Sequence, residues 1–238
     1  TLVTMAERAV KMARLAPEDP TAGLADPSQI TALTDTFALE LYDPSDEPNP
    51  EHLKDDALRA EAAAMAVAGI TQIDAAAAAY GKRRIHMAAT NGFSGGYSRT
   101  DRMISCVTIA GTGTGMERDY CGEGRIFGAD LPSPEEIGRI AAERTLDRMG
   151  PRKPKTGSYP VLYDERVAAS LIGHLLSAIN GSSVARGSSW LRDAMGECIL
   201  PPALSVTEDP HRARTSASRL FDAEGLATQK RALVENGR

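Results

Sequence analysis

Hydrophobic and polar positions change their period twice along this chain. At the start, Thr4-Met5-Ala6-Glu7 has the spacing of a capping box, and Ala9, Val10 and Ala13 continue an apolar face at helical spacing. Pro17 and Pro20 close that helix. Asp26-Pro27 reads as an N-cap with proline at the first helical position, opening a short helix to about Leu33. Residues 43–50 are polar, include Pro44, Pro48 and Pro50, and form a loop. Residues 52–68 are Ala-rich and helical, with Leu53, Ala57, Ala60, Ala64 and Val67 on one side.

The period then falls to about 2. Residues 69–80, 84–90, 102–110 and 116–127 read as four successive strands. Their separators are Gly81-Lys82, the glycine-rich loop 91–96, and Gly111-Thr112-Gly113-Thr114-Gly115. Short connections of this kind predict an antiparallel meander. Met103, Ser105, Val107 and Ile109 face one way, and Ile104, Cys106, Thr108 and Ala110 the other. Neither set is clearly polar, which predicts a central strand covered on both sides.

Helical spacing returns at Ser133-Pro134-Glu135-Glu136, a strong helix start, and Gly150-Pro151 stops it. The basic segment 152–157 is the candidate boundary between a first domain, residues 1–151, and a second, residues 152–238. Residues 159–163 read as a short strand, and Asp164 caps the next helix. Ala168, Leu171, Ile172, Leu175, Leu176 and Ile179 form the cleanest helical stripe in the chain, which predicts one buried face ending at Asn180-Gly181. The remainder is loop-rich, with strands at 204–207 and 228–234. The fold class is therefore α+β: an antiparallel β meander flanked by helices, followed by the start of a β-rich second domain. A first residue that is not Met, and a last segment that reads as a strand entering a turn, suggest part of a longer chain.

Composition narrows the function classes. With 238 residues, 42% of them hydrophobic and 25% charged, the chain can bury a real core. A net charge of -5 gives no basic footprint for nucleic acid or an anionic membrane. No apolar run is long enough to cross a bilayer. Cys106, Cys121 and Cys198 are odd in number, without Cys-x-x-Cys spacing, as expected in a reducing compartment such as the cytoplasm.

Candidate chemistry is sparse. The 111–115 glycines are followed by strand and two acids, not by a phosphate-binding helix. The loop at Asn91, Phe93 and Tyr97 is a hairpin connection whose aromatics could touch a peptide, and Arg186 and Ser188 offer small polar contacts for one. A structural turn is the competing reading of both segments. His52 and His211 read as solvated, His86 as packed in a strand, and His174 as a boundary histidine on the apolar helix. A helix-borne zinc protease site needs two histidines on neighbouring turns and a glutamate; His174 is followed by Leu175 and Leu176. There is no Gly-x-Ser-x-Gly, and no cysteine has a context that would lower its pKa.

Several blocks taken together carry a resemblance. They are Leu15-Ala16-Pro17-Glu18-Asp19-Pro20 with Gly23-Leu24-Ala25-Asp26-Pro27, Thr90-Asn91-Gly92-Phe93-Ser94-Gly95-Gly96-Tyr97, and Gly115-Met116-Glu117-Arg118-Asp119-Tyr120. Gly173-His174-Leu175, Ala185-Arg186-Gly187-Ser188-Ser189, Phe221-Asp222-Ala223-Glu224-Gly225 and Leu233-Val234-Glu235-Asn236-Gly237 follow. In this order the chain resembles the TldD/PmbA family, in its PmbA (TldE) branch, over nearly its whole length. The resemblance implies longer relatives and a heteromeric metalloprotease that cleaves unfolded peptides inside an enclosed cavity. It also carries an older description, modulator of DNA gyrase.

The zinc of such a complex is expected in the TldD-type partner, on a His-Glu-x-x-x-His helix with a later Cys. Starting that motif at His174 puts Leu175 and Ile179 at its other two positions; aligning on Gly181 puts Ile172, Gly173 and Ser177 there. Neither set can ligate zinc. The resemblance thus implies a metallopeptidase, while the residues point to a subunit with no cofactor of its own and no catalytic residue, whose candidate substrate contacts are Asn91, Phe93, Tyr97, Arg186 and Ser188. The alternatives are a gyrase-associated regulator, against which the acidic balance counts, and an autonomous metallopeptidase using His174 with ligands from outside this segment.

Overall fold

The computed structural model describes residues 1–18 and 23–238, so the Pro20 part of the first helix stop lies outside the described residues. Its first helix, α1, spans Leu2–Leu15 and begins one turn before the expected box: the Thr1 hydroxyl accepts the Thr4 amide at 3.3 Å. None of its residues is buried. Asp26-Pro27 opens a turn instead of a helix. The Asp26 carboxylate takes the Ser28 amide (2.8 Å) and hydroxyl (2.6 Å), and Ile30 then leaves to form a β-bridge with Leu226.

Helix α2, Pro50–Met65, starts where Asn49 accepts the His52 amide at 2.7 Å with proline at N1. Its Ala60 and Ala64 are fully buried. Helix α3, Pro134–Asp147, uses the expected Ser133 cap and buries Ile137, Ala141, Ala142 and Thr145. The two helices lie side by side on one face of a sheet, over a core of small residues that includes Cys106, Ala110 and Cys121. Within it, the Thr108 and Thr145 hydroxyls lie 2.6 Å apart and each 3.0 Å from the Ala141 carbonyl, so one donates to the other and the second to the carbonyl, and both buried hydroxyls are satisfied.

The sheet is an antiparallel meander of three strands, not four: β1 Ile70–Ala88, β2 Ser94–Ala110 and β3 Glu117–Arg125, in that order. The expected break at Gly81-Lys82 is absent, because β1 pairs with β2 along its whole length, from Ile70 opposite Ala110 to Ala88 opposite Ser94. Gly81 stands opposite Asp101, and a Cβ there would lie 2.7 Å from the Asp101 carboxylate. The glycine makes room within a strand rather than turning the chain. Strand β2 is central, as expected, but covered on one side only. Ile104, Cys106, Thr108 and Ala110 are buried under the helices, whereas Met103 on the other face is exposed.

Beyond Gly150 the chain is irregular through 152–163, with no strand at 159–163; Leu162 there is 98% exposed. Helix α4, Glu165–Ala178, starts at the Asp164 cap. Its apolar stripe is present but largely unburied. Leu175 and Ala178 are covered, while Leu171 and Ile172 remain 47% and 41% exposed. Asn180, read as a helix end, caps the short α5, Gly181–Ala185. The chain closes with β4, Val206–Glu208, paired antiparallel to β5, Arg231–Val234.

Candidate functional site

Two junctions gather the blocks singled out in the sequence. The first forms at the tip of the β1–β2 hairpin. Asn91 donates to the Ala25 carbonyl at 3.1 Å and accepts the Phe93 amide at 3.1 Å, which pins the tip to the segment before the Asp26 turn. Phe93 is 2% exposed and lies against Phe221, with ring centroids 4.9 Å apart; Tyr97 meets the same ring edge-on at 6.0 Å. Gly225 sits over Phe93 at φ +83°, where a Cβ would come within 2.5 Å of that ring. Only glycine meets both demands at this position. Phe93, expected as a peptide contact, is thus a buried strut in this structure. Asn91 is engaged by backbone, and Tyr97 is half-buried with its ring against Phe221.

The second junction centres on Asp119, which the sequence reading passed over. It stands opposite Thr108 in the register and shares the helix-covered face with Cys121. Its carboxylate accepts two hydrogen bonds from the Arg166 guanidinium, at 2.8 and 3.3 Å, and the Tyr120 amide at 2.7 Å. Arg148 approaches to 3.6 Å. Arg166 holds the Asp119 carboxyl below the usual carboxylate range, against the opposing effect of burial, and its own pKa is raised in return. The Arg166 guanidinium also lies over the Tyr120 ring, 5.9 Å from its centroid. The available signal was the alternation itself, since an aspartate on the side of β3 that carries Cys121 must face the core and needs a cation.

The remaining candidates lie apart from both junctions. Arg186 and Ser188 are exposed beside α5 and bond only locally, to the Ser182 and Ser183 carbonyls. His174 is exposed on α4, next to buried Leu175. His211 shares a 3.1 Å hydrogen bond with the Thr228 hydroxyl. Among the described residues, no three His, Cys, Asp or Glu side chains gather closely enough to hold a metal ion. The described residues thus bring no second or third metal ligand to His174. Cys106 and Cys121 are buried neighbours across β2 and β3; burial pushes the Cys106 thiol up to about 11 and raises Cys121 as well, so neither is an activated nucleophile. No described helix is long and apolar enough to cross a membrane.

Residues 43–149 match the model of the PmbA/TldA metallopeptidase central domain, and residues 156–238 that of the PmbA/TldA metallopeptidase C-terminal domain. The chain is 38% identical to metalloprotease PmbA of Escherichia coli O157:H7 and 34% identical to a PmbA homolog of Haemophilus influenzae. Each match covers 97% of this chain and 51% of the relative. A crystal structure from Bacteroides thetaiotaomicron, described as a modulator of DNA gyrase, superposes with a TM-score of 0.88 at 28% identity, over 98% of this chain and 54% of that one. TldE from Thermococcus kodakarensis shares the fold, with a TM-score of 0.69 at 19% identity, over 97% of this chain and 51% of its own. The chain spans about half the length of the curated relatives it matches.

Proposed function

The chain belongs to the PmbA/TldD metallopeptidase family, and from that premise we propose that it acts as a PmbA (TldE)-type subunit of a heteromeric, cytoplasmic metalloprotease. In this reading it binds and encloses unfolded peptides, and a TldD-type partner carries the zinc. The observation that carries the proposal is α4. This is the helix on which a zinc motif would fall, yet it presents Ile172, Gly173, Leu175, Ser177 and Ile179 at the tested positions. Its apolar stripe is left largely uncovered by the described residues. The division into units at residue 152 belongs to the same proposal. The irregular segment 152–163 lies between the two, and the matched family regions end at 149 and resume at 156.

Zinc stoichiometry decides the matter, measured on the protein purified alone and together with a TldD-type partner. Zinc bound only when the partner is present is the expected result. Close to one zinc per chain from the protein alone would overturn it, and His174→Ala and His211→Ala would then locate the ligands. A second reading, a gyrase-associated regulator, is favoured by the description of the Bacteroides relative. It requires salt-dependent DNA binding by the pure protein, which the net charge of -5 opposes.

A further inference from the structure

Arginine collects in one cleft of this acidic chain. A cavity of about 550 Å3 opens between the uncovered face of the sheet and the 214–216 segment; Arg83 and Arg99, opposite each other in the register, stand on that face with Asp101, Arg214 borders it from the facing segment, and Arg102 and Arg125 border it from strand positions whose side chains alternate to the helix-covered face. Four of the five guanidiniums have carboxylate partners. Arg83 meets Asp101 at 2.7 Å, Arg102 meets Asp56 at 3.9 Å, Arg125 meets Glu123 at 2.6 Å, and Arg214 meets Glu40 at 2.8 Å. Arg99 differs. Among the described residues no carboxylate lies within ion-pair distance of it; one terminal nitrogen donates to the Ser216 carbonyl, and its Nε is buried with no acceptor.

A buried N–H left without an acceptor is costly, and folded proteins seldom tolerate one unless something else supplies the missing oxygen. A guanidinium fork is matched best by a planar oxyanion that takes two parallel hydrogen bonds. The sheet surface leading to the cleft is lined with small side chains. In the register, Ala79 flanks Met103 on one side and Gly124 flanks it on the other, while Ser105 stands between Ala77 and Gly122. Such a surface admits an extended backbone with little steric obstruction. The cleft is too small for a duplex, and the chain's overall charge repels a long polyanion.

We propose that this cleft is a carboxylate-binding subsite for a peptide, with Arg99 as the group that receives the carboxylate, either an Asp or Glu side chain or a free C-terminus. The proposal takes from the peptidase-subunit reading only the choice of a peptide as the source of the carboxylate. Its test needs neither zinc nor a partner, so the two can fail separately.

The experiment is fluorescence anisotropy on the purified protein with three labelled hexapeptides: one rich in Glu with an amidated end, one neutral with a free carboxylate, and one neutral and amidated. At least one acid-bearing peptide should bind ten-fold or more tighter than the neutral amide, and added salt should weaken it. Arg99→Gln should remove that difference and Arg99→Lys restore part of it. Arg139→Gln, on the far side of α3 from the cleft and paired with Glu143, should change nothing. If Arg99→Gln does not fold, Arg83→Gln, opposite Arg99 on the same face of the sheet and exposed, should still weaken the acid-bearing peptide several-fold. Equal binding of all three peptides, no binding, an effect of Arg139→Gln equal to that of Arg99→Gln, or tighter binding of a single-stranded hexanucleotide would overturn the proposal.

Discussion

Removing the Asp119 charge should release α4 while leaving the three-stranded sheet folded. Asp119→Asn preserves the shape of the side chain and its acceptance of the Tyr120 amide, but Arg166 loses the buried anion and keeps only the exposed Asp164 carboxylate on its own helix cap, 3.3 Å away. Breaking a buried ion pair by deleting one partner costs about 3–5 kcal/mol when the survivor stays buried. Here the Asp119 side chain is only 5% exposed, but that of Arg166 is 31% exposed and can recover water, so about 2 kcal/mol is the reasonable loss. Among the helices and strands, α4 packs only weakly on α5 and hardly at all on the sheet, so the loss falls on the docking of this helix. A lone 14-residue helix is marginal in water. Hydrogen exchange followed by mass spectrometry should therefore show α4 amides exchanging about 30-fold faster, since each 1.4 kcal/mol is tenfold. Protection in β1 and β2 should be nearly unchanged. Arg166→Gln should give the same pattern, and the double variant should be no worse than either single one. An α4 that exchanges at its original rate in Asp119→Asn, or loses added to one another in the double variant, would refute the assignment of this pair as the anchor of α4.

Two further outcomes follow from the same packing. The carboxyls of Asp119 and Asp43 are both held low: Asp119 first by Arg166, and Asp43 by the Gly128 and Ser45 amides, which outweigh the effect of burial. A depressed carboxylate stabilises the fold above the ordinary value of about 4 and loses that contribution as pH falls through the lowered value, so urea midpoints should be level from about pH 5 to 7 and drop below about pH 4. A midpoint that rises on acidification would contradict this. Gly138→Ala should destabilise the fold by about 1–3 kcal/mol although alanine is the better helix former by about 1 kcal/mol, because the new Cβ would lie 2.1 Å from the Ala60 backbone carbonyl in the facing helix. Thermal unfolding at an unchanged or higher Tm would show that α2 and α3 are not in close contact there.

The sequence was most legible where local chemistry decides the structure. Ser133-Pro134 starts α3 as read, and β2 is central as read, although one of its two faces, both expected to be covered, is only half-buried. The α+β class and the antiparallel order follow from such signals. Errors arose wherever a tertiary neighbour overrides a local cue. Gly81 looks like a turn residue, but its use is to clear Asp101 on the facing strand. The α4 stripe promises a buried face, and nothing in the stripe itself says whether a covering surface lies within the same chain. Asp26 caps a turn, not a helix, because Ile30 is drawn off to bridge Leu226, almost two hundred positions later. Asp119 was readable in principle from its place in the strand alternation, but its cation, Arg166, lies too far along the sequence to be paired with it from spacing alone.

The blocks that carry the family resemblance are joints. Thr90 to Tyr97, Gly23 to Pro27 and Phe221 to Gly225 look unrelated in sequence, yet they meet at one hairpin tip through Asn91, Phe93 and Phe221. Glu117 to Tyr120 meets α4 through Asp119 and Arg166. Glycines, aromatics and a buried acid at such joints meet steric and electrostatic demands that few substitutes satisfy, so a motif can mark a family without containing any group that performs its chemistry. Chemistry should then be sought where polar groups are left unsatisfied. Arg99 lies outside every one of these blocks, has a buried N–H with no acceptor, and faces a cleft. By that criterion it is a better functional candidate than Phe93, whose ring is fully occupied in holding the fold together.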